Sequence, residues 1–88
     1  MNYMDRCIET GIKYTYKIGL DTMSDVKNFV ALATKCEGKL ILKSGTSLSV
    51  NAKSLLGVML AHHLKWNDLT LIADRDRYFE FRKFIVNE

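Results

Sequence analysis

The sequence predicts an α+β domain: one antiparallel sheet with helices packed on one of its faces. Three observations carry that prediction. Apolar and polar residues alternate from Ile8 to Ile18, a period of two that belongs to a strand. From Ser24 the apolar spacing lengthens to the three-and-four pattern of a helix. The later segments complete the order strand, helix, strand, strand, helix, strand, helix, in 88 residues that provide for one core. Pattern alone leaves a ferredoxin-like domain with an extra helix as the alternative.

Each element follows from its residues. Ile8, Thr10, Ile12, Tyr14, Tyr16 and Ile18 share one face of the first strand, and Gly19 breaks the run. Residues 1–7 read as a loose leader and 8–88 as the domain. Val26, Phe29, Val30 and Ala33 make a helical stripe, with Thr22 or Ser24 to cap its start and Gly38 to end it after Cys36. Lys39 to Lys43 is a short strand, and Leu48 and Val50 alternate with Ser47, Ser49 and Asn51 on its return after a turn at Ser44–Thr46. Ala52 to Leu64 is helical. Asp68 to Ala73 is a strand with Leu69, Leu71 and Ala73 on one face. Arg77 to Val86 closes the chain as a helix whose Tyr78, Phe79, Phe81 and Phe84 fit core packing. The outer sheet face is expected to carry Lys13, Thr15, Lys17, Ser47 and Ser49.

Composition narrows the function classes. An apolar share of 48% provides a core and argues against intrinsic disorder. The net charge is 13 − 10 = +3, too weak to predict a nucleic-acid or anionic-membrane partner. Leu48 and Val50 stand where an RNA-recognition sheet carries aromatic residues on its middle strands, so RNA binding is not expected. Cys7 and Cys36 form no disulfide framework and no metal-ligand spacing, which suits a reducing compartment. The start lacks signal-peptide character, and the longest apolar stretch, Leu55 to Ala61, falls short of the roughly 20 residues of a membrane span. A soluble cytoplasmic protein without metal or cofactor is expected.

The candidate chemistry is sparse. His62 and His63 are the only histidines. Neighbours on a helix diverge by about 100°, so they do not chelate one ion together, and histidine at a helix C-terminus complements the dipole. Asp74-Arg75-Asp76-Arg77 resembles half a calcium loop but lacks its glycine and distal glutamate. A turn capping the last helix through Asp76 is the expectation there. Asn51-Ala52-Lys53-Ser54 before Leu55-Leu56-Gly57-Val58-Met59 says more. Ser54 stands where a helix begins, a phosphate on it would meet the positive end of the dipole beside Lys53, and the adjoining apolar residues exceed what one side of a short helix buries.

From Ile8 onward the chain resembles the HPr family, the histidine-containing phosphocarriers of the bacterial sugar phosphotransferase system. Gly19-Leu20 leads into a helix carrying Phe29 and Val30, and Asn51-Ala52-Lys53-Ser54-Leu55 is close to the family's regulatory serine motif. The resemblance implies an open-faced sandwich, βαββαβα, with a four-stranded antiparallel sheet and three helices on one face. The family's active site reads Gly-Leu-His-Ala-Arg-Pro, and here the residues are Gly19-Leu20-Asp21-Thr22-Met23-Ser24. Asp21 stands in place of the phosphorylated histidine and Met23 in place of the arginine that steadies phosphoryl oxygens. The family's reaction uses a neutral imidazole nitrogen as nucleophile, and Asp21 is an anion. His62 and His63 fall at the end of the other helix. Two glycines typical of the family after that helix are His62 and Trp66 here.

The resemblance therefore implies a regulatory protein with no carrier or enzymatic chemistry. Ser54 would be the phosphorylated switch, and Leu55, Leu56 and Met59 the docking residues. The implied partners are an HPr-type serine kinase and a transcriptional repressor of the LacI type. Two alternatives stand beside this one. The first is an interaction module without phosphorylation, in which Asp21 supplies a fixed negative charge. The second is residual phosphoryl transfer through an acyl phosphate on Asp21.

Overall fold

The computed structural model describes residues 13–45 and 47–86. Its elements are β1 (Tyr14–Lys17), α1 (Met23–Lys35), β2 (Leu40–Ser44), β3 (Leu48–Asn51), α2 (Leu55–His63), β4 (Leu69–Ala73) and α3 (Tyr78–Phe81), which runs into a 3₁₀ turn at Arg82–Phe84. The four strands form one sheet in the order β1-β4-β2-β3. Every pairing among the described residues is antiparallel, with Tyr16 opposite Leu71, Leu71 opposite Leu42 and Leu42 opposite Val50. A ferredoxin-like sheet places its first and third strands at the centre, whereas here the second and fourth are central, so that alternative is excluded. The expected α+β order and the four-stranded antiparallel sheet are present. The leader, Cys7 and the first half of the Ile8–Ile18 alternation lie outside the described residues.

The alternation of β1 does what its period dictates: Tyr14 and Tyr16 are half-buried while Thr15 and Lys17 are exposed. Thr22 caps α1 through a reciprocal box, its hydroxyl accepting from the Asp25 N–H while the Asp25 carboxylate accepts from the Thr22 N–H. Val26, Phe29, Val30 and Ala33 are buried, as the stripe predicts. The helix stops at Lys35, and Gly38 follows in the turn with φ +91. A side chain there would also strike the Asp74 carboxylate at 2.5 Å. Leu40, Leu42, Leu71 and Ala73 point from the central strands into the core. Phe29 meets Phe81 at 5.3 Å and Phe84 edge-on at 5.6 Å, tying α1 to the C-terminal segment.

The structure corrects four expectations. α2 starts at Leu55 rather than Ala52, because Asn51 organises a turn: its side chain accepts from the Lys53 N–H at 2.9 Å and its carbonyl from the Ser54 N–H at 2.9 Å. The last helix does not continue to Val86. Ile85 forms an antiparallel bridge with Ile18, and the Val86 N–H donates to the Lys17 carbonyl, so the chain returns to the sheet. That return explains Gly19, where a Cβ would lie 2.7 Å from Val86 Cγ1. Of the four aromatic residues expected inside, Phe81 and Phe84 are buried, whereas Phe79 is 78% exposed and Tyr78 is exposed as well. Finally, among the described residues β3 is an edge strand, so Leu48 and Val50 do not occupy the middle of the sheet; Leu48 is exposed.

Candidate functional site

Ser54 holds the N-cap of α2 with extended backbone dihedrals, and its hydroxyl accepts from the Gly57 N–H at 3.1 Å. Gly57 suits that close turn, since a Cβ there would sit 3.2 Å from Val50 Cβ and 3.3 Å from Ser54 Oγ. The first turn of α2 carries no acidic residue, so the positive end of the helix dipole is not offset by its own side chains. Ser54 and Lys53 are both half-buried.

Beyond the cap, α2 buries only Val58 and Ala61. Leu56 is 80% exposed, Leu60 52% and Leu64 56%. Their spacing of four places them in one stripe on the outer side of the helix. Leu55 is exposed beside them, while Met59 turns partly inward and packs on the core. The outward face is thus Leu55, Leu56, Leu60 and Leu64, two leucines longer than the motif indicated and without Met59. Burying one leucine side chain is worth about 1.5–3 kcal/mol, so this stripe leaves several kcal/mol of apolar burial unclaimed within the monomer.

Asp21 precedes the Thr22 cap and is exposed. The N–H groups of Asp21 and Thr22 both donate to Asp25 Oδ2, at 3.1 and 3.2 Å. Two amides at the start of α1 are thereby committed to a carboxylate and not free for an incoming anion. Asp21 and Asp25 also share a hollow of about 220 Å³ with Asn28 and Lys83. Met23 opens α1 and is exposed.

Both histidines end α2, as expected, yet His62 is not remote from Asp21. Its Nε2 lies 3.4 Å from the Asp21 carbonyl oxygen, and the two residues line a pocket of about 440 Å³ with Lys65, Trp66 and Asn67. The residues are 41 positions apart, so only the packing of α2 on α1 brings them together. No local spacing signals the meeting. The turn after α2 closes with the Trp66 N–H on the Ala61 carbonyl and the Lys65 N–H on that of His62, a Schellman arrangement. Its left-handed residue is Lys65, φ 57, and Asp68 follows with φ 54. His62 and Trp66, which replace the glycines typical of the resembled family, do not carry the positive φ.

The Asp74–Arg77 turn is a clamp between elements. Asp76 Oδ1 accepts from the Tyr78 N–H at 3.0 Å and the Tyr16 hydroxyl at 2.8 Å, and these bonds hold its carboxyl below the ordinary range. Burial raises the Tyr16 hydroxyl above its ordinary value, against a lowering bond from the Arg77 N–H. The Arg77 guanidinium bonds the Glu37 carbonyl at 2.6 Å and Glu80 at 3.1 Å, while its buried Nε finds no partner among the described residues. Cys36 is buried, its thiol directed at the Leu32 carbonyl. Among the described residues no three His, Cys, Asp or Glu side chains gather as a metal site, and no helix is long and apolar enough to cross a membrane.

Comparison with family models, with curated proteins and with solved structures finds no match to this chain.

Proposed function

We propose that this chain is a regulatory partner-binding module, related to HPr, in which α2 is the docking surface and Ser54 its switch. The observation that carries the reading is the exposed Leu56–Leu60–Leu64 stripe directly following a serine-capped helix start. A kinase would transfer the γ-phosphoryl group of ATP to Ser54 Oγ, with ADP leaving and the hydroxyl proton passing to the kinase's base. The product places a dianion at a helix N-terminus that has no acid of its own, beside Lys53. The outward leucines then present an apolar surface whose border has changed charge. The chemistry that fits is a kinase of the HPr serine type upstream and a transcriptional repressor as the bound partner.

The site around Asp21 argues for binding rather than carriage. A phosphoryl donor approaching Asp21 meets the Asp25 carboxylate as well, and Asp25 already takes two of the local amides. Incubation with ATP and an HPr-type serine kinase, followed by peptide mapping by mass spectrometry, tests the reading. One phosphate on Ser54 is expected; an unmodified Ser54 under conditions that modify an ordinary HPr overturns the switch.

A further inference from the structure

The sheet face turned away from the helices is ordered in rows. Register aligns Thr15, Ile72, Ile41 and Asn51 across all four strands, and two residues along, Lys17, Thr70, Lys43 and Ser49. The rows lie about 7 Å apart, two strand residues. On the other side of the isoleucine row, the same alternation brings Lys13, Lys39 and Lys53 to this face, with Asp74 between the first two. An apolar centre, Ile41 with Ile72, is thus bordered by lysines on both sides.

Five lysines, Lys13, Lys17, Lys39, Lys43 and Lys53, stand on this face, with Asp74 the one acid within its rows. Lys17 is paired with Asp68 at 2.6 Å, and Asp74 lies 3.6 Å from Arg75. Among the described residues Lys13, Lys39, Lys43 and Lys53 form no ion pair. Two adjoining hollows of about 450 and 420 Å³ cover the surface and share Lys39, Ile41 and Ser49.

We infer that this face binds an acidic, amphipathic segment of a partner protein, with apolar side chains over Ile41 and Ile72 and carboxylates against Lys39, Lys43 and their neighbours. Charge complementarity selects the sign of the occupant, and the isoleucine row selects its character. A single-stranded nucleic acid would need aromatic platforms for its bases, and the rows contain none. A membrane surface would need apolar side chains that reach beyond the lysines, and Ile41 is only about one-third exposed. The inference does not rest on phosphorylation of Ser54 or on the leucine stripe of α2, although the two surfaces meet at Lys53.

The test uses the full chain and a short synthetic peptide alternating glutamate with valine, titrated while backbone amide shifts are followed by NMR. Shifts centred on Ile41, Lys43 and Ile72 are expected, with affinity falling as salt rises. The Lys39→Glu/Lys43→Glu variant should bind about tenfold more weakly. The Lys27→Glu/Lys35→Glu variant makes the same change of net charge on exposed positions of α1 and should bind as the parent does. Circular dichroism confirms that both variants fold. Absence of binding at low salt, equal weakening in both variants, or shifts centred on α2 would overturn the inference. So would tighter binding of an oligo-dT strand or of phosphatidylserine vesicles than of the peptide.

Discussion

Replacing Ser54 by alanine separates the cap from everything else at that position. The hydroxyl accepts one hydrogen bond, from the Gly57 N–H at 3.1 Å, and that N–H is the third of the helix. Loss of such a cap costs about 1 kcal/mol. A helix of nine residues has no stability of its own to absorb the loss, so it falls on the whole domain. For a domain of this size 1 kcal/mol lowers the melting midpoint by roughly 4–8 °C. Ser54→Asp keeps an acceptor and adds a negative charge where the first turn has none, worth about 0.3–1 kcal/mol from the dipole. Thermal melting followed by far-ultraviolet circular dichroism should therefore rank the aspartate variant level with or above the parent, and the alanine variant clearly below. An alanine variant that melts with the parent refutes the cap. An aspartate variant that melts below alanine refutes the favourable electrostatics on which the phosphorylation switch depends.

Three further perturbations have definite outcomes. Gly38→Ala meets both a φ of +91 and the Asp74 carboxylate at 2.5 Å, so urea unfolding should show a loss of about 1–3 kcal/mol, and an unchanged midpoint contradicts the turn geometry. Lys65→Gly relieves a left-handed residue, about 1–2 kcal/mol, against roughly 0.4–1 kcal/mol of added unfolded-state entropy; melting should rise slightly, and a fall contradicts the Schellman closure. Asp76 has its carboxyl held below the ordinary 3.8 by the Tyr78 N–H and then by Tyr16, so the stability it contributes is whole above that value and is lost as pH falls through the lowered folded one. Asp76→Asn should melt below the parent at neutral pH, with the gap closing under strongly acidic conditions; a gap independent of pH contradicts the clamp.

What could be read from the residues was whatever depends on near neighbours. The two-residue alternation of Thr15 and Lys17 against Tyr14 and Tyr16, the Val26–Phe29–Val30–Ala33 stripe and the Ser54 cap are all local, and the fold honours them. What escaped was long-range. The chain leaves its last helix because Ile85 finds Ile18, a partner 67 positions away (85 − 18), and no periodicity in Arg77–Val86 encodes that. The same holds for β3, whose apolar Leu48 and Val50 read like a middle strand but sit at the edge, since strand order is a tertiary property. Around the candidate site, Leu55 and Leu56 were visible as excess apolar residues, whereas Leu60 and Leu64 emerged only once α2 had a buried side. His62 came beside Asp21 only through the packing of α2 on α1.

The proposed function requires that this α+β fold serve binding and not phosphoryl carriage. Incubation with labelled phosphoenolpyruvate and the first enzyme of the phosphotransferase system, read by peptide mapping before and after hydroxylamine, tests it most directly. No label is expected on Asp21, His62 or His63. A hydroxylamine-sensitive label on Asp21, or an acid-labile one on His62 beside it, would contradict that reading and assign carrier chemistry to the pocket at the end of α2.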